Sequence, residues 1–246
     1  MKIFGNIGPA IRLANTVRIH KSDMKAIQEA RAEGDTEKEI NLIAYSTKIW
    51  VNEFIEAFDL DVNVKGRENI PDGPCVVISN HQAYADIIII IKALEGKQVG
   101  FIAKENLTKV PYVGKWIEAT RGIFIKRGNP RESLKSIREG VDYLKQGFSI
   151  AIFPEGTRSR SSEMAHFKSG SFKLATKAKV PILPITLNNS YKTFEEKGKF
   201  TGGVHMDVII HPPIETKDLS RKEISELHGQ VENIIRDSLE ELKKDI

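Results

Sequence analysis

Apolar positions along this chain fall into two textures that change near residue 60. Before it, Ile3, Ile7, Ile11, Ala14 and Val17 recur at three- and four-residue intervals with Phe4 beside them, the period of a helix with one apolar stripe. Asn6-Ile7-Gly8-Pro9 interrupts that stripe early. Glu33-Gly34-Asp35 reads as a turn. Thr36, with Glu39 three residues on, reads as a capping box opening a second helix. Its apolar positions are Ile40, Ile43, Trp50, Phe54 and Phe58, with Ile49, Val51 and Ile55 alongside. Aromatic residues so placed suit a water–lipid interface and an ordinary core equally. Residues 1–58 are therefore predicted to be an amphipathic helical appendage.

From residue 61 short β-type runs alternate with helical patterns. The runs are Val62-Asn63-Val64, Cys75 to Ile78, Val99 to Ile102, Ile123 to Ile125, Ser149 to Phe153, Pro181 to Ile185 and Met206 to Ile210. Several are almost continuously apolar, as expected of strands covered on both faces. Pro181 and Pro184 place their run at an edge or a bulge. Asn129-Pro130-Arg131-Glu132 reads as a capped helix start, followed by an inward stripe of Leu134, Ile137, Val141 and Leu144 and a stop at Gly147. Ser220 and Glu223 form a second capping box, with Ile224, Leu227, Val231, Ile234, Ile235, Leu239 and Leu242 inward. This alternation predicts an α/β domain over residues 59–246, a mixed, largely parallel sheet flanked by helices.

Composition narrows the chemistry. A length of 246 residues suits one large domain or a domain plus an appendage. The single cysteine, Cys75, excludes an internal disulfide, points to a reducing compartment, and lies in an apolar run that suits core better than catalysis. No HExxH pattern or thiolate cluster supports a metal site. No stretch approaches the roughly 18 apolar residues of a membrane span. The formal net charge is only +4, so its placement matters more than its sum. Residues 104–131 hold seven Lys/Arg against two acids, and 156–179 hold six against one. Such segments suit an anionic small substrate better than a nucleic acid, for which neither recognition motifs nor many aromatics are present. Residues 1–22 carry Lys2, Arg12, Arg18 and Lys21 and no acid. A basic amphipathic segment of this kind either lies in a membrane interface or packs on its own protein.

Four motifs carry candidate chemistry. Asn80-His81-Gln82-Ala83-Tyr84-Ala85-Asp86 follows an apolar run, where α/β sheets place their ligand crevice. On one helix a spacing of five turns side chains about 140° apart. His81 and Asp86 can therefore meet only across a turn, which a strand-to-helix junction supplies. Asp86 would then orient the ring and leave its other nitrogen free as a base. A capping or core histidine is the plain alternative. Phe153-Pro154-Glu155-Gly156-Thr157-Arg158-Ser159-Arg160 is a charged loop at a strand end. Its arginines suit a phosphate, and Glu155 should orient an arginine or accept from a hydroxyl. A solvated turn with a local ion pair is its alternative. Gly122 to Arg127 delivers Arg127 at a strand end, where a plain surface arginine is the better reading in isolation. Val180 to Ile185 reads as core in isolation.

Taken in order, NHxxxxD, FIxR, FPEGTRSR and VPILPI resemble the glycerolipid acyltransferase family, its bacterial 1-acyl-sn-glycerol-3-phosphate acyltransferase branch in particular, over residues 74–187. The resemblance implies a glycerol-3-phosphate acyltransferase-like fold. It implies acyl transfer from acyl-ACP or acyl-CoA, as co-substrate with no cofactor, to the sn-2 hydroxyl of lysophosphatidic acid. It makes His81 the general base and Asp86 its partner, with no acyl-enzyme. Arg127, Glu155, Gly156, Thr157 and Arg158 would bind the glycerol-phosphate end, Lys104 would assist with the phosphate, and Pro184 belongs to a segment linked with the acyl side. One departure stands out. The family's second motif usually has Gly six positions before its Arg and an acid just before it, where this chain has Arg121 and Lys126. Glycerol-3-phosphate or another lysophospholipid is the alternative acceptor. A non-catalytic lipid-binding protein is the alternative class, although such a module has no use for an intact His–Asp pair. A product with two acyl chains implies docking of residues 1–58 on a membrane surface, at the cytoplasmic face of a bacterial cell membrane.

Overall fold

The computed structural model describes residues 21–110, 113–126 and 130–244. The chain opens with α1 (Lys21–Glu33) and α2 (Thr36–Ala57). Seven strands follow: β1 (Leu60–Lys65), β2 (Val76–Ser79), β3 (Gly100–Lys104), β4 (Ile123–Ile125), β5 (Ile150–Ile152), β6 (Ile182–Asn188) and β7 (Val204–Ile210). Between and after them lie α3 (Asp86–Ala93), α4 (Val113–Ala119), α5 (Pro130–Lys145), α6 (Lys173–Ala178) and α7 (Arg221–Lys244). All seven predicted strand runs are strands of one sheet, in the order β1-β7-β6-β2-β5-β3-β4. Neighbours are parallel except β6 and β7. The mixed, largely parallel sheet is thus observed.

Burial follows from this order. β2, β5 and β6 are buried at every position, whereas β1 and β7 alternate. One face packs Val77, Phe101 and Leu183 with Ile88 to Ile91 of α3 and with Val51 and Phe54 of α2. The other packs Val76, Ile78, Ile150 and Ile182 with Leu144 of α5, Leu174 of α6, and Leu227, Val231 and Ile235 of α7. Phe54 and Phe58 therefore face the protein's own core, which settles between the two roles their pattern allowed. Cys75 is fully buried, and burial pushes its thiol pKa up, as an inert core thiol requires.

Two readings are corrected and a third is narrowed. Of the edge or bulge that Pro184 suits, the edge is excluded, because it belongs to an interior strand between β2 and β7, while two β6 residues face three residues, 211–213, here, as in a bulge. The missing N–H of Pro184 falls between the Ile182–Ile214 bridge and the β6–β7 ladder, which begins at Ile185, so no ladder bond is lost there. Leu134 and Ile224 are exposed, although Val141, Leu144, Leu227 and Val231 on the same helices are buried. Both lie in the first turns, beyond the sheet that covers later turns. Asp35, not Thr36, caps α2: its carboxylate accepts from Lys38 N at 3.0 Å, because Gly34, at φ 74°, turns the chain one residue earlier. The Ser220–Glu223 box is formed reciprocally, at 2.7 and 3.3 Å. Asn129 and the predicted helix at residues 3–17 lie outside the described residues.

Glu39, freed from capping, is buried. It accepts from Arg31 Nε at 2.8 Å and from Arg121 Nε and Nη2, each at 2.7 Å. The Arg31 Nη2 also donates to Ala119 O at 2.7 Å. The Arg121 guanidinium lies over the rings of Phe148 and Tyr143, 4.7 and 4.9 Å from their centroids. This cluster ties the α1–α2 hairpin to the turn that enters β4. Arg121 itself has φ 62°, the left-handed conformation that a glycine adopts freely, so the turn forms despite the departure from the family pattern.

Candidate active site

The strands β6, β2, β5, β3 and β4 run parallel, so their C-terminal ends share one edge. That edge collects the motif residues. Just past β2, Asn80 pins the strand to β6: its amide donates to Leu187 O and its oxygen accepts from Leu187 N, both at 2.8 Å. The chain then turns through residues 81–85 before α3 begins at Asp86. Across that turn His81 Nδ1 meets Asp86 Oδ2 at 2.7 Å. The same oxygen accepts from Gln82 N at 2.6 Å and Ala83 N at 2.9 Å. The other Asp86 oxygen accepts from the Ser190 hydroxyl. Asp86 is fully buried, so these four donors replace the water it lost on folding. With Nδ1 turned to the Asp86 carboxylate, Nε2 is the ring nitrogen left to meet a substrate. Nε2 has no hydrogen-bond partner among the described residues. The ring stacks on Phe153, with centroids 4.0 Å apart and planes at 12°, which fixes its orientation.

The adjacent loop continues the pairing of β2 with β5. Ser159 N donates to His81 O at 2.8 Å and Arg160 N to Gln82 O at 3.1 Å. Glu155 does not orient an arginine, contrary to expectation. Its oxygens accept from His81 N at 2.7 Å and Ala165 N at 2.9 Å. It fastens the histidine's backbone to the neighbouring loop. Burial pushes its pKa above the usual carboxylate range, against the pull of the Ala165 and His81 N–H groups. Gly156 sits at φ 75°, the left-handed conformation that glycine adopts without strain; a Cβ there would meet only the flexible end of the Lys168 side chain. Thr157 is exposed. Arg158 donates from Nη1 to Glu195 Oε1 at 2.7 Å and lies over the Tyr84 ring, its Cζ 3.4 Å from the centroid.

His81, Asp86, Glu155, Gly156, Thr157 and Arg158 thus occupy one place. Lys104 ends β3 on the same edge, opposite Ile125 of β4 and about two strand spacings, near 10 Å, from β2. Arg127 follows β4 by two residues and lies outside the described residues. Three contributors escaped the sequence reading: the Ser190 hydroxyl, the Phe153 ring and the Glu195 carboxylate. Ser190 had a signal. Asn188-Asn189-Ser190 is a polar cluster directly after a buried strand, at the sheet end where sites gather. Glu195 had none, being joined to Arg158 only through space.

An interaction at Glu155 gives a direct prediction. In Glu155→Gln the amide nitrogen must face a backbone N–H, leaving buried donors opposed, which costs about 1–3 kcal/mol. Thermal unfolding of the variant should shift down accordingly, and any activity that uses His81 should fall with it because His81 loses its backbone anchor. An unchanged melting temperature would show that these two bonds carry no weight.

A half-buried imidazole with one nitrogen held by a carboxylate and the other without a partner among the described residues, next to the loop that carries Arg158, is equipped to take a proton from an anchored alcohol. The model of the family described as Acyltransferase matches residues 61–188. A 1-acyl-sn-glycerol-3-phosphate acyltransferase of Pseudomonas aeruginosa is 30% identical over 197 residues, covering 79% of this chain and 74% of that protein. The Borreliella burgdorferi enzyme of the same name is 34% identical over 185 residues, covering 75% and 74%. A chloroplastic one from Brassica napus is 35% identical over 175 residues, 69% of this chain; the match spans about half, 49%, of that relative's length. The crystal structure of a 1-acyl-sn-glycerophosphate acyltransferase from Thermotoga maritima superposes with a TM-score of 0.73 at 30% identity, covering 94% of this chain and 95% of that one.

Proposed function

Since the chain belongs to the acyltransferase family, we propose that it transfers a fatty acyl group from an acyl-ACP or acyl-CoA thioester to the sn-2 hydroxyl of lysophosphatidic acid, giving phosphatidic acid. The observation that carries this reading is the His81–Asp86 pair with its free Nε2, set beside the Arg158 loop on one sheet edge. Nε2 takes the hydroxyl proton as the oxygen attacks the thioester carbonyl. Asp86 steadies the imidazolium that results. When the C–S bond breaks, the imidazolium returns its proton to the departing thiolate. One C–O ester bond has then replaced one C–S bond, the histidine is neutral again, and no acyl-enzyme has formed.

Arg158, Arg127 and Lys104 hold the phosphate, which aligns the hydroxyl with Nε2 and confers the gain in rate that comes from orientation. The phosphate end also sets the acceptor choice. No described helix is long and apolar enough to cross a membrane. Contact with the bilayer instead falls to the basic, acid-free stretch 1–22, where each Lys or Arg near an anionic surface contributes about 1 kcal/mol. On this reading the protein works at the cytoplasmic face of a bacterial cell membrane. The test is acceptor competition with purified protein and both thioesters. Lysophosphatidic acid should be consumed in preference to glycerol-3-phosphate and to lysophospholipids whose phosphate carries a head group. Equal use of a zwitterionic lysophospholipid would contradict a site built around a terminal phosphate.

A further inference from the structure

The segment after β6 touches both halves of the site. Ser190 donates to the Asp86 carboxylate, and its N–H donates to Gln82 Oε1 at 3.1 Å. Five residues on, Glu195 accepts through one oxygen from Tyr84 N at 2.9 Å and from Arg158 Nη1 at 2.7 Å. The Glu195 side chain is 3% exposed and that of Arg158 17%. Tyr84 closes one face of the same guanidinium and lies within the histidine motif itself. The carboxylate therefore holds one corner of the guanidinium fork and the turn that carries His81 at once. Among the described residues, Arg158 Nε and Nη2 have no partner, so the remainder of the fork is available to an anion.

We propose that Glu195 is a positioning residue for the acceptor: it fixes Arg158, against the face of Tyr84, beside the turn that carries His81. The inference rests on the reading of Arg158 as a phosphate anchor. Glu195 does not touch substrate; it acts through Arg158. A long flexible side chain in water loses entropy when it binds a phosphate. One already held by an ion pair and a ring face has lost that freedom on folding. Removing Glu195 should thus weaken acceptor binding more than it slows the chemical step.

The experiment measures KM for lysophosphatidic acid, kcat and the melting temperature for wild type, Glu195→Ala, Glu195→Gln, Arg158→Ala and the double alanine variant. Glu195→Ala should raise KM about tenfold with kcat within about threefold of wild type, the equivalent of roughly 1.4 kcal/mol of ground-state binding. Glu195→Gln, whose amide oxygen still accepts from both donors, should restore KM to within about threefold of wild type. The double variant should be no worse than Arg158→Ala. If Arg158→Ala leaves KM unchanged, the phosphate-anchor reading fails and the inference with it. If Arg158→Ala raises KM but a folded Glu195→Ala does not, or the two losses multiply, only the inference is overturned. Should Glu195→Ala not fold, Glu195→Asp replaces it. Its shorter carboxylate keeps the charge but cannot reach both donors, so KM should rise, and an unchanged KM overturns the proposal.

Discussion

Asp86→Ala should lower turnover of lysophosphatidic acid by about 10²–10⁴-fold, the span that a positioned acid–base group contributes. The loss has two parts. Without the carboxylate nothing fixes the proton on Nδ1, and nothing would steady the imidazolium of the proposed reaction. In addition, Gln82 N and Ala83 N lose their acceptor in a fully buried place, while the Ser190 hydroxyl can still donate to Gln82 Oε1. Each unsatisfied donor costs about 1–3 kcal/mol, so this variant also loses stability. Asp86→Asn separates the parts. Its amide oxygen can stand where Oδ2 stands and still accept from His81 Nδ1 and both backbone N–H groups, while its amide nitrogen donates to Ser190 Oγ. The fold and the tautomer then survive, and only the charge is missing. Its turnover should lie between wild type and Asp86→Ala, with a melting temperature near wild type. Steady-state kinetics alongside thermal unfolding checks both. Equal activity of all three proteins would show that the carboxylate is structural.

The largest effect on stability is expected at Glu39. Glu39→Ala leaves two largely buried guanidinium groups facing each other without a counter-charge. Breaking such a buried arrangement from one side costs about 3–5 kcal/mol. For a chain of this size each kcal/mol moves the melting temperature by about 2–4 °C, so a drop of roughly 10 °C is expected. Denaturant titration would give the same free energy independently. A change within about 0.5 kcal/mol, typical of a surface substitution, would mean that the cluster is solvated in solution. Because Arg121 sits on the turn entering β4, whose continuation holds Arg127, some loss of activity should accompany the loss of stability.

Parts of this architecture were legible in the sequence because they rest on local patterning. β2, β5 and β6 announced themselves by continuous apolar runs, since helices cover both sheet faces. The His81–Asp86 contact was legible too, because a spacing of five is useless on a helix and useful across a junction. Glu39 was not. Its place three residues after Thr36 satisfies the capping pattern, and its true partner Arg121 is 82 residues away. The partners of Glu155 are hidden for a related reason. A carboxylate in an arginine loop invites an ion pair, but two backbone N–H groups reached it first. Leu134 and Ile224 obey the helical period yet face solvent, because period alone does not say where the sheet beneath a helix ends.

In the proposed reaction His81 is the base on an anchored alcohol. The most direct measurement is single-turnover acyl transfer by His81→Ala with lysophosphatidic acid and thioester in excess, together with equilibrium binding of lysophosphatidic acid to the same protein. Transfer should fall by at least about 10²-fold while binding stays within a few-fold of wild type, because Arg158 is held by Glu195 and Tyr84 without help from the ring. Transfer within tenfold of wild type would contradict the account and assign the proton to another group.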